Sequence, residues 1–330
     1  MGLKPAAQLT VGGVDLTAKI GDRLQSLTIV DNSGEESDTL EIRLDDRGNI
    51  IESPRHGVAL SVSIGFVGQA LFYVGKFTVD EVEPEGPPDI LTIRAKAADM
   101  REGLKSQRSR SFSDTTVGGI VGQIAGEHGL TPAVAAELAS IAIAHRDQTN
   151  ESDLHFLTRL GRDFGAVAAP KDGRLVFAPQ STGLSASGQT LDGVALDRRD
   201  LTSWRGVVAD REKHGSVRAR YRDMGAARTK FATAGSGEPV KTLRPMHRDQ
   251  AAAQAAAEAA LARATRATNG VELVMPGRPT ILAQTPLTVT GLRPELSGDW
   301  IADRVEHRLD FEGGGFVTTV NGSRKRRGAA

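Results

Sequence analysis

No cysteine occurs in the 330 residues, which excludes disulfides, thiolate zinc sites, iron–sulfur clusters and cysteine nucleophiles. Aromatic residues reach only 4%, with two Trp and two Tyr, and that scarcity disfavours a glycan-binding module, which stacks sugars on such rings. Neither sign of charge is in excess: 41 basic residues balance 41 acidic ones, so no global field draws the chain to nucleic acid or an anionic membrane. The longest apolar runs fall far short of the ~18 residues of a membrane span. The opening MGLKPAAQLTVGGVDL holds no apolar stretch of signal-peptide length. Ala6 stands where a myristoylation signal starting at Gly2 wants Ser or Thr. Synthesis in the cytosol without autonomous export is the expectation. What is present is ordinary globular composition, 39% hydrophobic and 25% charged, in a chain long enough for two domains of roughly 150 residues or three smaller ones.

Residues 7 to 98 alternate apolar and polar side chains at a period of two, the pattern of strands with one dry face. Leu40, Ile42 and Leu44 share a face opposite Glu41, Arg43 and Asp45; the period continues through Leu60, Val62, Ile64 and Phe66, then Leu91, Ile93, Ala95 and Ala97. Turn residues separate these runs at Asp31-Asn32-Ser33-Gly34, Asp46-Arg47-Gly48-Asn49 and Pro84-Glu85-Gly86-Pro87-Pro88. Gly75 interrupts the run from Phe72 to Val79 as a bulge does. A sandwich or barrel of about ninety residues is predicted.

The period then changes. Val117, Ile120, Val121 and Ile124 fall on one helical stripe that ends near Gly129. A second helix is read from Asn150 as N-cap and Asp153 three residues on, with Leu154, Leu157, Leu160 and Phe164 on its stripe. Between them Ile141 to Ala144 reads as a strand, and Lys171-Asp172-Gly173 joins two β-prone runs as a hairpin. Residues 112–180 thus form a small α+β unit. The Gly/Ser stretch Ser181 to Gly188 reads as a joint, and Gly225 to Pro245 as a long exposed excursion. Asp249 to Thr268 is an Ala-dominated helix of about 30 Å. Strand patterns occupy Val217 to Tyr221 before it and 271–320 after it. The chain is mainly β with an α+β insert and one helix in its second β part.

Recognisable chemistry is sparse. No GxxxxGK[ST] or GxGxxG exists; the glycines of Gly118-Gly119-Ile120-Val121-Gly122 lie inside a helix, where they serve close packing. No GxSxG elbow occurs, and His56, His128, His145, His155, His214, His247 and His307 never fall at metal-ligand spacing, so each is read as a surface or capping group and no metal is expected. Glu151 and Asp153 beside His155 are the best enzymatic candidate, a carboxylate pair that could serve acid–base work on a sugar bond. The competing reading is helix capping, in which acids meet free amides at a helix start. The tail Ser323-Arg324-Lys325-Arg326-Arg327 is a solvated basic end rather than a nucleic-acid site, since no aromatic residues interleave it.

Charge placement says more. From Asp31 to Glu52 eight acids face two bases, whereas from Arg198 to Arg248 thirteen bases face five acids. Two independently solvated surfaces would account for this. So would a head-to-tail contact in which the first β domain, through Glu41, Arg43 and Asp45, meets Arg218, Arg220 and Arg222 of a neighbouring copy.

Three stretches in order, Thr115-Thr116-Val117-Gly118-Gly119-Ile120-Val121 through Glu127-His128-Gly129-Leu130, then Gln148-Thr149-Asn150-Glu151-Ser152-Asp153-Leu154-His155-Phe156-Leu157, then Lys171-Asp172-Gly173-Arg174-Leu175, resemble the middle of the phage late control gene D family. These are baseplate hubs of contractile tails, related to the first part of VgrG spike proteins of type VI secretion. Pro276-Gly277-Arg278-Pro279, the run Gly298 to His307 and Phe316-Val317-Thr318-Thr319 are similar to the family's closing strands. The likeness spans nearly the whole chain.

The resemblance implies two tube-like β-barrel domains, at residues 1–100 and 189–323, flanking the small unit at 112–180, with helix 249–268 in the second and a basic tail at 324–330. It implies a homotrimer presenting six similar barrels as a pseudo-sixfold ring that adapts the tail tube to a threefold spike. Partners would be a spike protein, the tail tube protein, the tape measure protein and baseplate wedge proteins, in the virion tail baseplate or a tailocin particle. VgrG proteins continue into an OB-fold and a β-helical needle, so a spike here is expected to be another polypeptide. The family carries no catalytic residues and no cofactor, so the role it implies is structural, not enzymatic. The alternative is a tail-associated peptidoglycan hydrolase using Glu151 and Asp153.

Overall fold

The computed structural model describes residues 3–33, 36–97, 102–171, 173–180, 191–208, 215–223 and 225–325. The first β part comprises β1 (Pro5–Val11), β2 (Val14–Asp15), a helical turn α1 (Thr17–Ile20), β3 (Leu24–Asn32), β4 (Thr39–Asp45), β5 (Ala59–Phe66), β6 (Phe72–Glu85) and β7 (Ile90–Ala97). These strands pair in the order β2-β1-β5-β6-β7-β4-β3, antiparallel throughout. The alternation places Leu40, Ile42 and Leu44 of β4, Leu60, Val62 and Ile64 of β5, and Leu91, Ile93 and Ala95 of β7 in one core. Each large aliphatic side chain buried there contributes roughly 1.5–3 kcal/mol. A one-residue slip would turn them all to solvent, and this fixes the register. β6 bulges between its pairings with Val62 and Ser63, leaving Val74 extra beside Gly75.

The middle unit starts ahead of residue 112. It runs through α2 (Glu102–Lys105), β8 (Gln107–Thr116), α3 (Val117–Glu127), β9 (Thr131–Val134), α4 (Ala136–Ala139), β10 (Ala142–Ser152), α5 (Asp153–Phe164), β11 (Ala166–Lys171) and β12 (Arg174–Pro179). Leu104 already belongs to its core with Phe112, Val117, Ile120, Val121, Ile124, Leu157 and Leu160. Thr116 caps α3, its side chain accepting from the Gly119 amide at 3.1 Å. Gly118 packs where a Cβ would sit 3.0 Å from the Ala139 carbonyl, whereas Gly122 faces open space. The cap of α5 is Ser152, accepting from the His155 amide at 3.2 Å, not Asn150. Asn150 instead takes a left-handed φ of 48° at the irregularity where β10 shifts register against β8.

After residues 181–190, which include the expected joint and lie outside the described residues, come β13 (Val194–Asp197), β14 (Ser203–Val208), β15 (Ser216–Asp223), β16 (Arg228–Gly235), β17 (Val240–His247), α6 (Gln250–Thr268), β18 (Asn269–Pro276), β19 (Pro286–Thr290), β20 (Gly298–Asp310) and β21 (Gly315–Arg324). The stretch read as an exposed excursion is mostly folded: β16 and β17 flank β15 in a sheet of their own. Val217, Ala219, Tyr221, Ala232 and Ala234 of that sheet pack on Ala253 and Ala257 of α6. Alanine on both sides lets helix and sheet approach closely. Arg324, expected in a solvated tail, closes β21. Its guanidinium lies 4.2 Å over the Trp300 ring and donates to the Ser297 carbonyl at 3.0 Å. Residues 326–330 lie outside the description.

The two β parts are not separate sheets joined by the middle unit. The thirteen-residue β20 pairs along one edge with β21 and along the other with β3, from Arg304 opposite Asn32 to Asp310 opposite Ser26. A single thirteen-stranded sheet results. Leu309 and Phe316 complete the first core, with the Phe66 and Phe316 rings 5.3 Å apart. Gly277 faces Phe316 so closely that a Cβ would fall 2.2 Å from its ring. Among the described residues no helix is long and apolar enough to cross a membrane.

Candidate functional site

The arginines of β15 stand on the sheet face turned away from α6, because Val217, Ala219 and Tyr221 take the alternate positions against the helix. Arg218 donates from Nε to Thr242 Oγ1 at 2.7 Å and stacks 4.9 Å above the Phe231 ring. Arg220 donates to the Arg244 carbonyl, and Arg222 is exposed. The nearby Asp223 is taken by Lys230 at 2.5 Å. The face therefore keeps its positive charge.

Glu41, Arg43 and Asp45 likewise share the outer face of β4, but each already has a partner in the chain. Arg94 holds Glu41 at 3.1 Å, Glu83 at 2.7 Å and Glu81 at 3.5 Å. Arg43 holds Glu85 at 3.0 Å, and Arg47 holds Asp45 at 3.0 Å. Pairs this exposed are worth about 0–1 kcal/mol each and are screened by salt. The arginine trio and the β4 trio thus sit on two different sheets, the first unneutralised and the second laced with weak ion pairs.

Glu151 and Asp153, two residues apart, do not face one space. Asp153 is fully buried. Its Oδ1 accepts from Arg110 at 2.6 Å and from the Gln148 side-chain amide at 2.8 Å, and its Oδ2 from His128 Nε2 at 2.8 Å. Burial by itself would raise its pKa, yet the bonds from His128 and Gln148 and the charges of Arg110 and Arg108 outweigh it and hold the carboxyl below its ordinary range. Glu151 is engaged by Arg159 and by His155 at 2.9 Å, on the wall of an open cleft of about 700 Å³ that Asp153 does not line. A sugar bond in that cleft would meet one carboxylate, already ion-paired, so the hydrolase reading lacks its second group. The capping reading is corrected as well, since the Asp153 carboxylate faces side chains from other elements rather than free amides.

Glu127, His128 and Asp153 offer ligand atoms within 4.8 Å of one another. Arg110 bonds both carboxylates and Arg108 adds a second guanidinium. Two cations already fill the place a metal ion would need, so the donor set does not fit one. Of the rings a glycan would stack on, Trp300 and Tyr221 are buried and Trp204 lies under Arg198 at 5.9 Å, whereas Tyr73 is exposed.

A third cluster lies where the middle unit meets both β parts. Lys171, at the end of β11, binds Asp31 of β3 and stands 3.5 Å from Asp38. The other oxygen of Asp31 accepts from the Ala283 amide at 2.8 Å. One buried carboxylate thereby ties the first β part, the middle unit and the segment before β19. Burial pushes the Asp38 carboxyl up to about 6; Lys171 opposes the shift and Asp31 adds to it. The folded state therefore favours protonated Asp38, and the stability this supplies is present below about 3.8 and lost as pH rises through about 6. Thermal melts of the wild type and D38N between pH 4 and pH 7 should show the wild type losing ground to the variant as pH rises. A constant difference would show that Asp38 does not titrate there. Nearby His307 is neutral, its pKa pushed down to about 4 by burial, with Nε2 donating to the Ile281 carbonyl and Nδ1 accepting from Thr318, both at 3.0 Å.

The model of the phage tail baseplate hub (GPD) family matches residues 66–312. The chain belongs to that family. Probable baseplate hub proteins of Escherichia phages 186 and P2 are 33% and 34% identical to it, across 94% and 96% of this chain and 91% and 92% of theirs. The hub fold is shared with the 43 kDa tail protein of prophage MuSo2 from Shewanella oneidensis, at a TM-score of 0.72 and 15% identity, covering 97% of this chain and 98% of that one. An E. coli component of the type VI secretion system, described as structurally similar to the T4 tail proteins gp27 and gp5, superimposes at a TM-score of 0.58 and 11% identity, over 97% of this chain and 79% of its own. Membership of a structural family agrees with the charge clusters found in this hub, which bind side chain to side chain. The hub residues missed in the sequence are Lys171 as a junction, Phe156 as core, and the buried His128 and His307. A lone basic residue in a hairpin carries no signal of the distant acids it will meet.

Proposed function

We propose that three copies close head to tail into a ring, each presenting its two β parts as tube-like barrels, so that six similar barrels adapt a sixfold tail tube to a threefold central spike. The tube, spike, tape measure and wedge proteins of a phage tail or tailocin are the partners this role requires. The carrying observation is the β3–β20 seam, with the Lys171 junction beside it: a hydrogen-bonded sheet fixes the two β parts relative to one another, and a symmetry adaptor needs that fixed relation. The basic face with Arg218, Arg220 and Arg222 and the outer face with Glu41, Arg43 and Asp45 supply the complementary charges of a head-to-tail contact. The role is architectural; no substrate is turned over.

The test is solution mass by light scattering, for the purified chain alone and mixed with the product of a neighbouring spike gene. A trimer in either sample is expected. A monomer in both, at concentrations up to about 100 μM, would overturn the ring.

A further inference from the structure

β15 carries its arginines at positions i, i+2 and i+4, which spaces them about 6.7 Å apart along one face. Among the described residues none of them meets a carboxylate, and Arg220 Nε is buried without a hydrogen-bond partner. Beside them, exposed on the neighbouring strands, stand Phe231 and Met246, 48% and 52% accessible. Arginine with Phe and Met, and no acid among them, is the composition of a protein-binding core rather than of a solvated face.

Among the described residues the same spacing with opposite charge stands on one strand edge, in β6. The β6–β5 ladder ends at Thr78, so beyond Asp80, among the described residues, β7 is the one strand that pairs with β6. On this stretch Glu81, Glu83 and Glu85 are exposed at i, i+2 and i+4. Pro84 lies among them and lacks an amide hydrogen, so the edge is poorly suited to extension by another strand and contact must come through side chains. With Glu41 they make four carboxylates that share two guanidiniums, those of Arg94 and Arg43. Negative charge is left over.

We infer that the Arg218, Arg220 and Arg222 ladder of one copy seats on the Glu81, Glu83 and Glu85 ladder of the next. This rests on the ring reading and names its contact, moving it from Glu41 and Asp45 of β4 to the end of β6 beyond Asp80. Facing sheets pack about 10 Å apart, a gap that an arginine and a glutamate span together, and equal spacing lets all three pairs form bidentate, charge-assisted bonds at once. Phe231 and Met246 close the flank against water, which strengthens the pairs beyond the worth of an open surface bridge.

Sedimentation at 150 mM salt tests the ladder. R218E/R220E/R222E and E81R/E83R/E85R should each weaken self-association about 100-fold or more, as expected when several close charge pairs turn repulsive. The chain carrying all six changes should recover trimers, and the two triple variants, folded by circular dichroism, should bind each other though neither binds itself. If the wild type forms trimers but neither six-fold rescue nor cross-binding occurs, the ladder is wrong while the ring stands; a wild type monomeric with and without the spike removes both. If R218E/R220E/R222E still forms trimers but loses the binding of a labelled DNA duplex that the wild type shows, the arginine face serves nucleic acid and the ladder is overturned.

Discussion

Asp153→Ala should destabilise the chain by about 3–5 kcal/mol, the usual cost of leaving buried charged groups without their partner. Removing this carboxylate strips hydrogen bonds from Arg110, Gln148 and His128 together, and Arg110 and His128 are themselves largely buried. Those groups come from β8, the residue that follows α3, and β10, so the loss spreads over the middle unit. Urea unfolding followed by circular dichroism reads the effect, with Asp153→Asn separating charge from shape. Glu151→Gln, which breaks a pair nearer to solvent, should cost about 1 kcal/mol. Similar small losses at both positions would show that the buried cluster does not hold the unit together. Muralytic activity in the wild type that disappears in both variants would restore the hydrolase reading.

Lys171→Met is expected to cost about 2–4 kcal/mol, discounted from the fully buried case because part of the lysine side chain reaches solvent. The substitution leaves Asp31 and Asp38 facing each other without a cation, and Asp31 is 6% exposed. Asp31 keeps the Ala283 amide, so the second β part holds on while the middle unit loosens. Limited proteolysis should cut the variant earlier in the middle unit than the wild type, and D31N/K171M should recover part of the stability by removing the stranded charge. Equal protease resistance in the single variant would mean that apolar packing, not the ion cluster, docks the unit.

Local periodicity made much of this molecule readable in advance. Leu40, Ile42 and Leu44, and Val117, Ile120, Val121 and Ile124, declare a face each, because the pattern repeats within a few residues. β16 was not legible: its inward residues are Ala232 and Ala234, too small to contrast with the threonines and charges beside them. Asn150 and Ser152 are both good caps, and only the fold decides between them, giving Ser152 the His155 amide and Asn150 the left-handed irregularity in β10. The carboxylate of Asp153 looks catalytic or capping in the sequence because its partners lie on three other elements. Long-range pairing of β3 with β20 leaves no local trace at all, and this is why the two β parts read as independent.

That pairing has a consequence for the order in which the molecule can be made. The ribosome makes β3 well before its second neighbour and before the side chains of Leu309 and Phe316 that finish its core. The first β part therefore waits, with an open strand edge and an unfinished interior, until synthesis has passed Phe316. Copies shortened before Gly298 would lose the companion of β3 for good. Synthesis of β20 and β21 thus acts as a quality gate: only a chain made past Phe316 can mature the joined pair of β parts.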